Sequence, residues 1–143
     1  YDQLKLLRKK AITSNLNADV KQKTDQIISS KLLIKTMAYL NKQKHWNKNI
    51  PNMVNLYFIE MHNFLSSLKK KIKKDSKIGI VVGNSSYQGV PVATDLILGE
   101  IAQSLGFKVK EIIVTRNNET SSQQYKKIGN LIKYIRESII ILE

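Results

Sequence analysis

Apolar side chains recur every three or four residues along the first half of the chain, which is the spacing of one face of an α-helix. The pattern predicts an amphipathic helix with a basic face over residues 1–14, a second helix over 24–40 and a third from Pro51 to Ile72. Proline suits the first turn of the third helix because the N–H groups there have no intrahelical acceptor. We expect these apolar faces to pack against a common core.

The period changes after Lys77, where residues 78–83 (IGIVVG) form a continuous, β-branched run. Such a run is typical of a strand that is buried on both faces of a parallel sheet. The rest of the pattern predicts a turn-rich loop, a helix and two more strands, over residues 84–91, 94–106, 107–115 and 137–142. Thr94 is predicted to cap the helix, and Gly106 to end it in a left-handed conformation. The first two strands and this helix predict a right-handed βαβ unit.

Positive charge is concentrated in the helical half of the chain. The 143 residues carry a formal net charge of +13. Lys and Arg number 17 against 5 Asp and Glu in residues 1–77, but 7 against 6 in residues 78–143. The sequence therefore predicts a helical, basic region followed by a strand-rich region. The excess predicts attraction to a polyanion such as nucleic acid, although a lysine-rich genome would give a similar count.

Composition excludes several classes of protein. The sequence has no cysteine, so disulfides, thiolate metal sites and cysteine nucleophiles are ruled out. Two histidines without clustered carboxylates predict neither a metal site nor a Ser-His-Asp triad. No apolar run approaches the roughly 18 residues of a membrane-spanning helix, and no basic leader precedes an apolar stretch. We expect a soluble protein without a membrane partner, for which a cytoplasmic location is allowed.

Residues 78–124 begin IGIVVGNSSYQGVPVATDLILGE and are followed at 135–142 by IRESIIIL. This stretch, above all residues 83–106, resembles the end of a family of bacterial and archaeal DNA methyltransferases that modify the exocyclic amine of cytosine or adenine. The resemblance extends more loosely back through WNKNIPNMVNLYFIEMHNFLSSLKK and YDQLKLLRKKAITS. It implies the carboxyl-terminal half of a class I, Rossmann-like α/β sheet. The fifth strand, a helix, the sixth strand and the antiparallel seventh strand would lie at residues 78–83, 94–105, 108–115 and 138–142.

Two motifs that define this family are absent from the sequence. One is the glycine-rich turn that holds the methionine part of S-adenosylmethionine, where glycine permits close backbone approach. The other is a catalytic tetrapeptide of the form Ser/Asp/Asn-Pro-Pro-Tyr/Phe, whereas the only prolines here are Pro51 and Pro91. The resemblance implies that the tetrapeptide precedes the position of Tyr1 in a full-length parent that uses S-adenosylmethionine. We expect this chain to be inactive alone and assign it no catalytic, cofactor-binding or metal-binding residue.

Candidate binding residues follow the first predicted strand, at the edge where open α/β sheets bind ligands. The resemblance suggests that Asn84, Ser85, Ser86 and Tyr87 border the catalytic pocket and offer hydrogen bonds or stacking to a nucleotide. A turn selected only for its backbone geometry would have a similar composition. The loop does not match a phosphate-binding loop because it lacks the lysine of that motif.

Further candidates lie on the loop after the second predicted strand and near the amino terminus. Donors suited to base edges and phosphates are Arg116, Ser121, Ser122, Gln123 and Gln124, although a merely solvated loop is the alternative. Arg8, Lys9 and Lys10 are candidates for phosphate contacts. The lysines of residues 69–77 are explained first by the dipole of the helix that they end. Arg136 and Glu137 are expected to form a structural ion pair, with each other or with the loop.

The leading interpretation is the substrate-side part of a DNA methyltransferase from a restriction-modification system, which flips a base to reach its amine. Two alternatives stay open: a non-enzymatic module that binds DNA or RNA, and an RNA methyltransferase of related fold. In such a fragment the strand at 78–83 would be an exposed, apolar sheet edge. We expect a dimer or a complementary methyltransferase half to cover it.

Overall fold

The computed structural model describes residues 26–117 and 127–143, together with residues 3, 6, 7, 11–16, 18 and 20. Its helices are α1 (Lys31–Lys42), α2 (Ile50–Lys69), α3 (Thr94–Ser104) and a short 3-10 helix (Gly129–Tyr134). Its strands are β1 (Ile78–Gly83), β2 (Ser85–Tyr87), β3 (Val90–Val92), β4 (Val109–Asn117) and β5 (Arg136–Leu142). This mixture of helix and strand is consistent with the expected α/β class. The helix predicted over residues 1–14 lies largely outside the described residues.

Helix α1 begins after its N-cap, Ser30, rather than at residue 24 as predicted. The Ser30 hydroxyl accepts a hydrogen bond of 3.0 Å from the Leu33 N–H. The Glu100 carboxylate of α3 accepts two more, from the Ser30 hydroxyl at 2.7 Å and from the Leu32 N–H at 3.0 Å. The start of α1 is therefore fixed by a residue far away in sequence, which a local pattern does not reveal.

Helix α2 confirms the third predicted helix, with Pro51 in its first turn. It ends at Lys69, three residues before the predicted end. The Lys69 ammonium group donates a hydrogen bond of 2.6 Å to the Gly106 carbonyl and lies 4.4 Å from the centroid of the Phe107 ring. The apolar face of the helix is buried and comprises Ile50, Met53, Val54, Leu56, Phe58, Ile59, Met61 and Leu65.

The three-stranded sheet has the order β1-β5-β4, and β5 is antiparallel to both of its neighbours. β1 and β4 therefore run in the same direction, as a βαβ unit requires, but they do not pair with each other. The prediction of a parallel sheet was wrong because the final strand inserts between them. The antiparallel orientation implied for that strand by the resemblance is confirmed.

Strand β1 lies at the edge of the sheet, with β5 as its pairing partner in the described part of the chain. Val82 is its only buried residue, and Val81 is 61% exposed. The prediction of a strand buried on both faces was therefore wrong for this chain. Among the described residues, no strand pairs with the backbone N–H and C=O groups on the outer side of β1.

The segment predicted as a loop over residues 84–91 contains a hairpin, in which β2 pairs antiparallel with β3. Its central residues, Gln88 (φ 54°) and Gly89 (φ 81°), both lie in the left-handed region, as the two-residue type I′ turn requires. The sequence signal is weak because glutamine replaces the asparagine or aspartate that usually opens this turn. The loop prediction was therefore wrong, and the hairpin gives the connection between β1 and α3 a fixed shape.

Helix α3 covers one face of the sheet. Its first residue is Thr94 and its N-cap is Ala93, so the prediction that Thr94 caps the helix was wrong. Gly106, with φ of 81°, confirms the predicted left-handed end. A Cβ atom at Gly99 would lie 3.8 Å from the Ile112 side chain of β4, so helix and sheet pack closely there. No helix among the described residues has the length and apolar character that crossing a membrane requires.

The opposite face of the sheet carries an apolar row of three directly paired residues. Val81 of β1 lies opposite Ile139 of β5, and Ile139 lies opposite Ile113 of β4. Val81 and Ile113 are 61% and 42% exposed. Helix α3 packs on the other face, where it contacts all three strands. This row is therefore open in the described part of the chain.

Replacing Glu100 with alanine is expected to lower the free energy of unfolding by about 1 kcal/mol, because the donors at the start of α1 lose their acceptor. Burial alone would raise the pKa of Glu100, but hydrogen bonds from Ser30, Leu32 and Lys31 lower it below its ordinary value. The stabilisation is therefore present above about pH 4.3, the unfolded value, and fades as the pH falls through the folded pKa. Urea denaturation at several pH values measures both effects. Gln103→Ala, an exposed change on the same helix, is the control and should be nearly neutral.

Candidate functional site

A pocket of about 340 Å³ lies beside the carboxyl end of β1. Its walls come from helix α2, strand β1, the hairpin and the segment that contains Thr13 and Ser14. The lining residues are Thr13, Ser14, Met53, Val54, Tyr57, Phe58, Val81, Val82, Gly83, Ser85, Tyr87, Val92 and Thr94. None of these side chains carries a charge, and several offer a hydroxyl group. The pocket therefore suits an uncharged, partly aromatic ligand group that accepts or donates a few hydrogen bonds.

Helix α2 supplies the aromatic wall of the pocket. The rings of Tyr57 and Phe58 meet edge to face, with centroids 5.1 Å apart and an interplanar angle of 77°. Phe58 is fully buried and fixes the wall to the core. Burial raises the pKa of the Tyr57 phenol above its ordinary value, so the hydroxyl stays protonated at neutral pH and can donate a hydrogen bond.

The segment that contains Thr13 forms another wall of the pocket, and hydrogen bonds to Glu60 hold it against α2. The Glu60 carboxylate accepts hydrogen bonds from the Thr13 N–H at 2.6 Å and from the Thr13 hydroxyl at 2.7 Å. Thr13 is buried, whereas Ser14 is exposed at the pocket. Glu60 stands one turn beyond the aromatic wall on the same helix, so one element positions two walls of the pocket.

A buried hydrogen-bond network centred on Asp95 supports the pocket from behind. The Asp95 carboxylate accepts hydrogen bonds from the side chains of Asn84, Arg136 and Ser138, each at 2.9 Å, and from the Leu96 N–H at 2.8 Å. Asp95 and Ser138 are fully buried. Burial alone would raise the pKa of Asp95, but the hydrogen bonds from Asn84, Ser138 and Arg136 lower it below its ordinary value. The carboxylate is therefore charged at neutral pH and joins β1, α3 and β5.

Asn84 belongs to this network rather than to the pocket lining. Its amide group donates to Asp95 and, at 2.9 Å, to the Tyr134 carbonyl, while its oxygen accepts a hydrogen bond of 3.1 Å from the Asp95 N–H. Both amide hydrogens and the oxygen are thus engaged inside the protein. Asn84 fixes the point where the chain leaves β1 and enters the hairpin, which is a positioning role.

Of the other candidates on the hairpin, two line the pocket and one does not. Ser85 and Tyr87 line the pocket. Alternation along the strand directs Ser86 away from them, and its hydroxyl oxygen is buried without a partner among the described residues. The sequence predicted a loop at these positions, so the different orientations of Ser85, Ser86 and Tyr87 were not expected.

Arg116 lies near the carboxyl end of β4, at the same end of the sheet as the pocket beside the carboxyl end of β1. It pairs across β5 in one row with Glu137 and Gly83, which places it roughly 10 Å from β1, two strand spacings away. Its guanidinium group donates to the Glu137 carboxylate at 3.0 Å and stays 68% exposed. Arg136 instead pairs with Asp95, so Arg136 and Glu137 both form structural ion pairs, but not with each other.

The remaining candidates lie outside the described residues. These are Ser121, Ser122, Gln123, Gln124, Arg8, Lys9 and Lys10. Sequence reasoning in turn missed Asp95, Glu60, Thr13 and Tyr57. The signals for Asp95, Glu60 and Thr13 are weak because their side-chain partners are 11 to 47 residues away in sequence. A carboxylate in the first turn of a helix, such as Asp95, is also favourable without any network.

Comparisons with known proteins relate part of the chain to Type II DNA methyltransferases. Over 85 residues, or 59% of the chain, it is 34% identical to the Type II methyltransferase M.AvaI of Nostoc sp. and of Anabaena variabilis. Over 98 residues, or 68% of the chain, it is 34% identical to the Type II methyltransferase M.BsoBI of Geobacillus stearothermophilus. The matched part spans only 18–19% of the length of these relatives. No family model and no solved structure matches the chain.

Proposed function

We propose that this chain is the substrate-side part of an S-adenosylmethionine-dependent DNA methyltransferase that modifies an exocyclic base amine in a restriction-modification system. The observation that carries the proposal is the outer edge of β1, which no described strand pairs, beside a pocket whose described lining is uncharged. The chain that contains them matches part of the Type II methyltransferases. The resemblance assigns β1 to the fifth strand of a class I sheet. The missing part of the parent would then supply the neighbouring strand and the catalytic tetrapeptide at its end.

The chemistry of the pocket lining supports a role on the substrate side. A base that leaves the duplex is flat, uncharged and rich in hydrogen-bonding groups, and enzymes hold such a base by stacking and by hydrogen bonds to its edge. Tyr57 and Tyr87 offer aromatic rings, and Ser85 and Thr94 offer hydroxyl groups. These residues would hold and orient the base, while Arg116 at the same edge would contact a phosphate.

The lining does not fit the cofactor. S-adenosylmethionine supplies a methyl group on a sulfonium ion and carries an ammonium and a carboxylate group, which need charged or strongly polar partners. None of the described residues that line the pocket is charged, and the glycine-rich turn of the family is absent from the sequence. Cofactor binding and methyl transfer therefore belong to the rest of the parent protein.

Calorimetry of the purified chain with S-adenosylmethionine, with and without short duplex DNA, tests the proposal. We expect no cofactor binding, and DNA binding that weakens steeply with salt. Adding a polypeptide that carries the glycine-rich turn and the tetrapeptide should restore methyl transfer from labelled cofactor to DNA. Cofactor binding at micromolar strength by this chain alone would contradict the proposal, because the chain would then be a complete and divergent enzyme.

A further inference from the structure

Helix α1 and the connector after it carry exposed lysines interleaved with exposed aromatic rings. On α1 the residues Lys31, Lys35, Tyr39 and Lys42 are all exposed and follow one another at intervals of four, four and three. They therefore form one stripe along the helix, opposite the buried face of Leu33, Thr36 and Leu40. The stripe is roughly 16 Å long, about the rise of five base pairs of duplex DNA.

The connector extends this stripe towards the pocket. Lys44, Trp46 and Lys48 alternate along it, and all three are exposed. The connector leads within a few residues into the first turns of α2, where Met53 and Val54 line the pocket. Six of these exposed residues form what we call the lysine-aromatic surface: Lys35, Tyr39, Lys42, Lys44, Trp46 and Lys48.

Charge and exposure distinguish this surface from an ordinary solvated face. The sequence contains no Asp or Glu between Asp25 and Glu60, so no carboxylate of this segment neutralises its lysines. Trp46 is 72% exposed and Tyr39 is 60% exposed, although burial of either ring would be favourable. The Lys42 ammonium group lies 5.9 Å from the centroid of the Tyr39 ring. Lysines on phosphates with aromatic rings on bases are the combination by which proteins bind unpaired nucleic acid.

We propose that the lysine-aromatic surface binds DNA beside the pocket, with Trp46 stacked on a base that is out of the duplex stack and the lysines on phosphates. This inference rests on the proposed function, because base flipping unpairs and unstacks the duplex at the pocket. It adds a site that lies on neither the hairpin nor the loop after β4.

Trp46 is the only tryptophan of the chain, so its fluorescence reports stacking directly. The purified chain is titrated with a short single-stranded DNA, with the matching duplex, with a duplex that contains one mismatched pair, and with heparin. Trp46 emission should be quenched by the single strand and the mismatched duplex, but not by heparin, which has charge without bases. DNA binding without quenching would overturn the stacking role of Trp46.

Trp46→Ala should weaken binding of the single strand about tenfold, whereas Trp46→Phe should retain most of the affinity. Phe64→Ala removes an exposed ring from α2, 49% exposed, and should leave the affinity unchanged. Far-ultraviolet circular dichroism verifies that each variant is folded, as the exposure of these rings leads us to expect. Equal losses for Trp46→Ala and Phe64→Ala would overturn the proposal.

The lysines are tested by the dependence of binding on salt. The triple variant Lys35→Gln, Lys42→Gln, Lys44→Gln should reduce the slope of log affinity against log salt by about 2 to 3 for duplex DNA. The triple variant Lys70→Gln, Lys73→Gln, Lys74→Gln makes the same change of charge after α2 and should leave the slope nearly unchanged. Equal reductions would mean that the whole basic surface acts without a defined site, and would overturn the proposal.

Two outcomes separate this inference from the proposed function. If the chain binds DNA with a normal salt dependence but neither Trp46 nor the three lysines contribute, the proposed function stands and the lysine-aromatic surface does not. Failure to bind DNA at any salt concentration would contradict both. Binding of RNA of the same sequence about tenfold more tightly than DNA would assign the surface to RNA and overturn the proposal as stated.

Discussion

Replacing Asp95 with alanine is expected to lower the free energy of unfolding by about 3–5 kcal/mol, because the change leaves the Arg136 guanidinium group without its partner in a buried network. Asn84, Ser138 and the Leu96 N–H lose an acceptor at the same time. A buried donor that has lost its acceptor costs more free energy than an intact hydrogen bond contributes to stability. Urea denaturation followed by circular dichroism measures the loss.

The same carboxylate predicts how stability depends on pH. Because the folded pKa of Asp95 is lowered, its contribution is complete above the unfolded value of about 3.9 and is lost as the pH falls through the folded pKa. The difference in stability between the wild type and Asp95→Asn should therefore shrink in acid. Glu111→Ala, which removes an exposed carboxylate, is the control, and we expect a change within about 0.5 kcal/mol. If Asp95→Ala lowered the free energy of unfolding by as little as Glu111→Ala, the structural role of the network would be contradicted.

Replacing Gly89 with alanine is expected to lower the free energy of unfolding by about 3 kcal/mol, and Gly106→Ala by only about 1 kcal/mol. Both glycines have φ of 81°, so both changes carry the cost of a side chain in the left-handed region. At Gly89 the new Cβ atom would also lie 2.7 Å from the Lys127 carbonyl oxygen, whereas at Gly106 nothing lies within 4 Å. The difference between the two variants therefore isolates the steric contact.

Gly89 also lies where the hairpin packs closely against the backbone of Lys127, at the start of the last described segment. Gly89→Ala should displace the hairpin and with it Ser85 and Tyr87 at the pocket. We therefore expect weaker DNA binding for Gly89→Ala and unchanged binding for Gly106→Ala, measured by fluorescence anisotropy at one salt concentration. Equal losses of stability for the two variants would show that the hairpin moves freely enough to relieve the contact.

The sequence predicted those elements whose signal is local. Helix α2 has a long apolar stripe with proline in its first turn, and β1 has a continuous β-branched run, so both were found with nearly correct bounds. The left-handed end at Gly106 follows from one residue type. The resemblance added the antiparallel direction of the last strand, which no periodicity reveals.

The features that the sequence did not predict depend on contacts between distant residues. The position of β5 between β1 and β4 is decided by pairing across the whole second half of the chain. The start of α1 depends on Glu100, and the pocket exists only where α2 meets β1 and the hairpin. Asn84 looked like a binding residue because its type and place suit one, yet its hydrogen-bonding groups are used by Asp95 and Tyr134.

The place of β5 in the sheet has a consequence for how the protein is made. β5 follows both of the strands that it separates, and it is the strand with which each of them pairs in the described part of the chain. During synthesis, β1 and β4 therefore emerge before the strand that lies between them, while helices α1 and α2 can already bury their apolar faces. The sheet closes only after residues 136–142 have been released, so its assembly is a late step that a chaperone or slow release of the nascent chain would influence.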